Sequence, residues 1–277
     1  MSSLHRLNAI QNELREVLSI SKSDIQLNAH ELEIGEEVRA RFIGLQLSSV
    51  FQPIIDLRKS KPIGFEALLR AQNLKAQNVT PQEAFRQAEI AERLVKFDRL
   101  CRTLHTLNYL NMGMRDQLLF LNVHPDLLVA VNSHGKVFEQ VLHNHAVQTS
   151  DVVIEINESA VAEHELLRLA IANYRERGYR IAIDNFGRVH TNLERLWKLE
   201  PDFVKLDGHL IQQTEQNSRL QSILPKLVEL IHDLGGKVIA QGVETQAQME
   251  LVSYAGIVWA QGNALGKPAP ASAWGSG

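Results

Sequence analysis

With 277 residues, 44% of them apolar and 22% charged, the chain can bury a sizeable core as one large domain or two small ones. A net charge of −3 gives no basic field for a nucleic-acid polymer, and the single cysteine, Cys101, excludes an internal disulfide and suits a reducing compartment. The longest apolar stretches have strand length, so no membrane span is expected, and the first residues lack the order of a secretory signal; the expectation is a cytoplasmic protein.

Residues 1–47 carry Leu4, Leu7, Ile10, Leu14 and Leu18 at helical spacing among polar residues. They predict a helical extension, packed on the following domain or against a second chain. From 48 to 270, short apolar runs alternate with longer amphipathic stretches. The runs at 49–56, 62–70, 118–122, 152–156, 181–184, 203–207, 237–241 and 256–261 are mostly rich in Val, Ile, Leu and Phe, as buried strands are. Between them, 81–94 follows Thr80 with proline at the first helical position, 159–177 stops at Gly178, and 220–234 stops at Gly235. Strands alternating with helices predict an α/β fold, a (β/α)₈ TIM-like barrel. The connection between the first two strands is too short for a crossover helix, so they pair antiparallel and one strand runs against the rest. Residues 271–277 read as a flexible tail.

Several runs end on or near a polar residue: Glu66, Asn122, Glu155, Asp184, Lys205 with Asp207, Glu244 and Gln261. In a (β/α) barrel these ends meet on one face, where catalytic groups gather. Oxygen ligands without His or Cys suit a hard divalent ion such as magnesium, manganese or calcium. His105, His124, His143, His145, His190 and His209 have no metal-ligand spacing and read as surface or capping residues.

These runs resemble the EAL domain, a phosphodiesterase that linearises cyclic di-GMP. The resemblance rests on Phe51-Gln52-Pro53-Ile54, Glu66-Ala67-Leu68 with Arg70, Leu121-Asn122-Val123, Glu155-Ile156-Asn157-Glu158, Asp184-Asn185-Phe186-Gly187, Lys205-Leu206-Asp207, Gln241-Gly242-Val243-Glu244-Thr245 and Gln261-Gly262. It spans about residues 45 to 268 and implies a modified (β/α)₈ barrel with an antiparallel first strand.

By motif, the resemblance implies that Glu66, Asn122, Glu155 and Asp184 hold one metal, magnesium or manganese, with calcium as an inhibitor. A second metal would lean on Asp184 and on two further acids, and those positions are Asn185 and Gln241 here. Lys205 would help place the attacking water, and Glu158 would support the loop after Asp184-Asn185. Gln52, Leu68, Arg70, Asp207, Glu244, Gln261 and Pro268 would cradle the ligand, Arg70 by pairing with a phosphate. The chain departs from the family at Arg188–Asn192, where a Gly- and Ser-rich loop is expected, and in lacking aromatics after Arg70 and after Gly262.

An amide keeps the shape of its acid without the charge. The reading is therefore an EAL domain that binds cyclic di-GMP, with impaired or absent phosphodiesterase activity, signalling through a protein partner or homodimer. The alternatives are an active metal-dependent phosphodiesterase giving pGpG, and an interaction module indifferent to the nucleotide.

Overall fold

The computed structural model describes residues 32–34, 37–111, 113, 117–128, 138–139, 142–143, 147–157, 164–188 and 193–275. The apolar stripe of residues 4–18 and Glu158 lie outside the described residues. Among those described, no helix is long and apolar enough to cross a membrane.

The shorter barrel strands form on apolar runs buried on both faces, whereas the long first strand alternates. Strand β3 (Leu45–Asp56) alternates buried and half-buried positions along most of its length. It pairs antiparallel with β4 (Lys61–Asn73), as the short connection required. Asp56 shapes that turn by accepting the backbone N–H of Arg58 at 2.9 Å and of Lys59 at 3.1 Å. Strands β6 (Leu118–Asn122), β7 (Val152–Ile156), β8 (Arg180–Phe186), β9 (Phe203–Leu206) and β10 (Lys237–Ala240) follow in parallel register from β4. Strand β11 (Trp259–Ala260) lies parallel to β10 and antiparallel to β3, which closes an eight-stranded mixed barrel. The expected α/β barrel with one reversed strand is the fold observed.

The barrel is plugged rather than open. Ile54, Phe120, Val153, Ala182, Phe203 and Ile239 form one buried cluster. Phe120 and Phe203, on non-adjacent strands, meet with ring centroids 5.4 Å apart, so this cluster fills the interior. Gly64 takes the corresponding place on β4, because a Cβ there would lie 2.4 Å from the Leu118 carbonyl oxygen. Two residues further towards the barrel top, on the same face of each strand, stand Gln52, Glu66, Asn122, Glu155, Asp184, Lys205 and Gln241. The two-residue period of extended chain thus converts one apolar layer into one polar layer above it.

Residues 32–34 and 37–47 correct the expected boundary. They are not helical: β1 (Leu32–Ile34) and β2 (Val38–Phe42) pair antiparallel, and β2 pairs with the start of β3. Val38, Ala40 and Phe42 alternate inward and pack with Phe97, Leu100 and Leu104. The tail departs from expectation as well. Ala269 bridges Phe51, Ala271–Ala273 form a 3₁₀ turn, and Trp274 donates its indole N–H to the Phe51 carbonyl at 3.0 Å while stacking obliquely on Phe65. An indole ring buries much apolar area and finds a partner for its N–H, which holds the segment down.

The helix expected at 81–94 ends at Ile90, and a second helix that was not expected follows it. After the short strand β5 (Asn78–Val79) come α1 (Pro81–Ile90), capped by Thr80, and α2 (Leu94–Asn111), separated by Glu92 at φ 55°. Helix α2 is buried from Phe97 to Tyr109, polar side chains included. Those side chains are paired. Arg102 bonds Asp98, and Asn108 clasps both backbone groups of Val38 at 2.9 and 2.8 Å. His105 Nδ1 meets Ser49 Oγ at 2.7 Å, so His105 is an interior residue and not the surface or capping residue expected.

Burial, with the nearby charge of Arg70, lowers the His105 pKa from 6.5 to about 4. The unfolded chain therefore takes up this proton first as pH falls. The stability contributed by the neutral ring is complete above pH 6.5 and is lost as pH falls through 4. That loss amounts to about 2 kcal/mol by pH 5. Urea unfolding at pH 7 and pH 5 should show it, and His105→Gln should remove most of the difference between the two pH values.

Candidate functional site

The polar layer converges on Lys205. Its ammonium is fully buried and lies 2.8 Å from Glu66 Oε2, in hydrogen-bond contact with Glu155 Oε1, and 3.8 Å from Asp184 Oδ1. It also sits 6.0 Å from the Phe120 ring centroid, so the lysine stands directly on the interior plug. Three carboxylates around one ammonium leave excess negative charge. Burial and the charges of Glu66 and Asp184 push the Glu155 carboxyl well up, despite its bond to Lys205. Burial also lifts Asp184, against the pull of Lys205. Glu66 goes the other way: burial alone would raise it, but Lys205, Gln261 and Asn122 together hold it below the usual carboxylate range. Lys205 is held above its ordinary value by the three acids, although burial opposes this. The lysine is therefore a fixed cation and not a proton donor at neutral pH.

Glu66 is the best-anchored acid. Besides Lys205 it receives Asn122 Nδ2 at 3.0 Å and Gln261 Nε2 at 2.7 Å. The same Gln261 nitrogen reaches Gln52 Oε1 at 3.1 Å, and Gln52 Nε2 donates to the Gly266 carbonyl at 3.1 Å. Gln52 and Gln261 thus tie Glu66 to the loop that carries Pro268.

Asp184 is held by amides. Strict alternation would put Asp184 and Asn185 on opposite faces of β8. The β8–β9 register shifts between Ile183 and Phe186, and Asn185 adopts φ 57°, a left-handed conformation that asparagine tolerates better than most residues. The bulge returns the Asn185 side chain to the site, where Nδ2 donates to Asp184 Oδ2 at 2.5 Å. Gln241, at the end of β10, donates Nε2 to Asp184 Oδ1 at 3.0 Å. Both oxygens of Asp184 therefore face an amide N–H.

Among the described residues no three His, Cys, Asp or Glu side chains are grouped so that they could hold a metal ion. The chemistry of Glu66, Asn122, Glu155 and Asp184 nonetheless fits one hard cation: all can offer oxygen, and Glu155 Oε2 is buried without a partner. A second cation on the far side of Asp184 does not fit. Turning either amide over would offer it an oxygen but would set that oxygen against the Asp184 carboxylate.

A cavity of about 560 Å³ opens beside this cluster. Glu66, Leu68 and Arg70 of β4 line it, with Asn122 of β6 and Asp184 and Asn185 of β8. Arg70 is exposed, and its Nη1 donates to the Leu69 carbonyl at 3.0 Å. The remaining expected ligand residues are not in the lining. Asp207 is buried and caps helix α6 (Gly208–Gln216) by accepting the His209 N–H at 2.8 Å. Glu244 is exposed and receives the Asn263 N–H at 3.4 Å. Sequence reasoning missed Phe85, His105 and His124 in the cavity wall. The His124-Pro125 step after the Asn122 strand end was the available signal for one of them.

The description of the matching family model is "EAL domain", and the match covers residues 36–268. The chain is 28% identical over 260 residues to the bifunctional diguanylate cyclase/cyclic di-GMP phosphodiesterase MucR of Pseudomonas aeruginosa, covering 90% of this chain and 37% of MucR. It is 28% identical over 273 residues to the probable cyclic di-GMP phosphodiesterase PdeI of Escherichia coli, covering 95% of this chain and 32% of PdeI. The chain thus spans about a third of the length of these curated relatives. Among solved structures, Klebsiella pneumoniae BlrP1 in its manganese/cy-diGMP complex superposes with a TM-score of 0.72 at 26% identity, over 81% of this chain and 56% of that one. The PaMucR phosphodiesterase in its c-di-GMP complex gives a TM-score of 0.72 at 24% identity, over 96% and 99%. With this family match over most of its length, and with the barrel and polar layer described above, the chain belongs to the EAL domain family.

Proposed function

We propose that the chain is a cyclic di-GMP-binding EAL domain whose phosphodiesterase activity is impaired, and that it passes the signal on through contacts with a protein partner or a second copy. The observation that carries this reading is the pair of amide N–H groups, from Asn185 and Gln241, on the two oxygens of Asp184. The ligand class is supported by relatives named as cyclic di-GMP phosphodiesterases and by solved family members in complex with that nucleotide.

At an effective dielectric near 20, one unit charge about 4 Å from another is worth about 4 kcal/mol. Replacing two acids by amides removes that attraction twice from a second cation, and the amides then satisfy Asp184 directly. Glu66, Asn122, Glu155 and Asp184 would hold a single magnesium or manganese, with calcium as a competitor. Such an ion would act as a Lewis acid on a phosphate oxygen. The chain's own residues do the rest. Arg70 pairs with a phosphate, Leu68 packs against the ligand, and Gln52, Gln261 and Pro268 fix the opposite rim. Asp207 and Glu244 shape the loops beyond β9 and β10. Lys205 holds the acids in register, and Gln241, unlike a carboxylate, cannot accept a proton from water.

A second reading, slow hydrolysis to pGpG, is favoured by the intact set of Glu66, Glu155, Asp184 and Lys205. The two are separated by restoring charge. Asn185→Asp with Gln241→Glu should raise manganese-dependent formation of pGpG by on the order of 10²-fold or more, as measured by chromatography of the nucleotide. The double variant should also gain more thermal stability from manganese than the wild type does. Wild-type turnover matching that of the double variant would sink the receptor reading. Calorimetric titration of cyclic di-GMP in EDTA should give binding to the wild-type chain, and Arg70→Ala should weaken it at least tenfold.

A further inference from the structure

The cavity wall beside Asn122 carries two flat rings that the polar layer does not use. Phe85 and His124 stack with ring centroids 5.1 Å apart and planes 19° from parallel, and both line the cavity. Phe85 is anchored from behind, with the edge-on ring of Phe97 at 4.9 Å. Its position in the second turn of α1 is set by the Thr80 cap and Pro81. His124 lies two residues past Asn122, just before the short helix α3 (Pro125–Leu128). With one face covered by Phe85, its side chain remains 25% exposed. Its Nδ1 is buried without a hydrogen-bond partner, and Asp126 stands 3.8 Å away. Arg70 lies on the same cavity.

We infer that the Phe85–His124 pair is a stacking ledge for one purine base of the bound nucleotide, with Arg70 taking the adjoining phosphate. The inference rests on the cyclic dinucleotide reading given above and names the subsite that holds one base. A rigid ring pair loses little entropy on contact, and every base has a π-face, so the ledge supplies affinity more than sequence discrimination. The cavity volume is of the size that small-molecule sites commonly have, roughly 300–1,000 Å³.

The test titrates cyclic di-GMP into the full chain in EDTA and follows the His124 ring protons by NMR. Stacking predicts an upfield shift of those protons on saturation, about tenfold weaker binding for His124→Ala, and near-wild-type binding for His124→Phe. If the wild type binds and His124→Ala binds equally well, or the ring protons do not move, the ledge is wrong and the receptor reading stands. If His124→Phe loses as much as His124→Ala, an imidazole hydrogen bond and not stacking is at work, and the ledge is again wrong. If the folded wild type does not bind at all, the receptor reading falls and takes the ledge with it.

Discussion

The buried ammonium of Lys205 is the contact on which the polar layer depends. Three carboxylates brought together on a plug of aromatic and aliphatic side chains would repel one another and each suffer desolvation. A single cation from β9 gathers acids from β4, β7 and β8. A buried ion cluster of this kind is not a source of net stability, because the desolvation of its members offsets most of their attraction. What it contributes is position. Removing the lysine would leave uncompensated charge in the interior, and the acids would then protonate or the barrel top would open to water.

The bulge on β8 decides what Asp184 can do. A regular strand would have turned residue 185 away, and its chemical identity would then matter little to the site. Because Asn185 folds back at positive φ, its amide is committed to Asp184, and Gln241 completes the clamp from β10. These hydrogen bonds favour the ionised carboxylate, while burial opposes it. Asp184 thus faces a pair of neutral donors. Donors of this kind need no ion from solution to keep Asp184 oriented.

Much of this was legible in the sequence because it depends on periods that survive in one dimension. Most barrel strands place a polar residue two steps from an apolar one on the same face, and the short link after Asp56 forces the reversed pairing of β3 and β4. The acid-to-amide replacements were visible as letters. Their hydrogen bonds were not, since these depend on a bulge that no local propensity announces. Helix α2 was illegible for a different reason. Its buried faces include Asp98, Arg102, His105 and Asn108, and each has a hydrogen-bond partner distant in sequence or in its own helix. Polar side chains of that kind read as surface in a pattern of hydropathy. The strands β1 and β2 were lost because the leucine spacing ahead of them extended a helical reading across residues that alternate with period two. Trp274 shows the same limit at the other end, where a lone aromatic in a run of small residues finds its site only once Phe51 and Phe65 are assembled.

The arrangement also sets the Gln241 amide apart from the cavity wall. Leu68, Arg70, Phe85 and His124 approach the cavity from β4, α1 and the end of β6, whereas Gln241 stands on β10 and is absent from the lining. Of the two amides, Asn185 alone touches the cavity. A loss of charge at Asn185 and Gln241 therefore acts on whatever sits beyond Asp184, and leaves the opposite wall as it was. Near an anionic phosphate the change is even favourable, because two fewer carboxylates repel it. Residues 185 and 241 can therefore vary without rebuilding the Leu68 and Arg70 wall, since the two amides stand at β8 and β10 and that wall stands on β4.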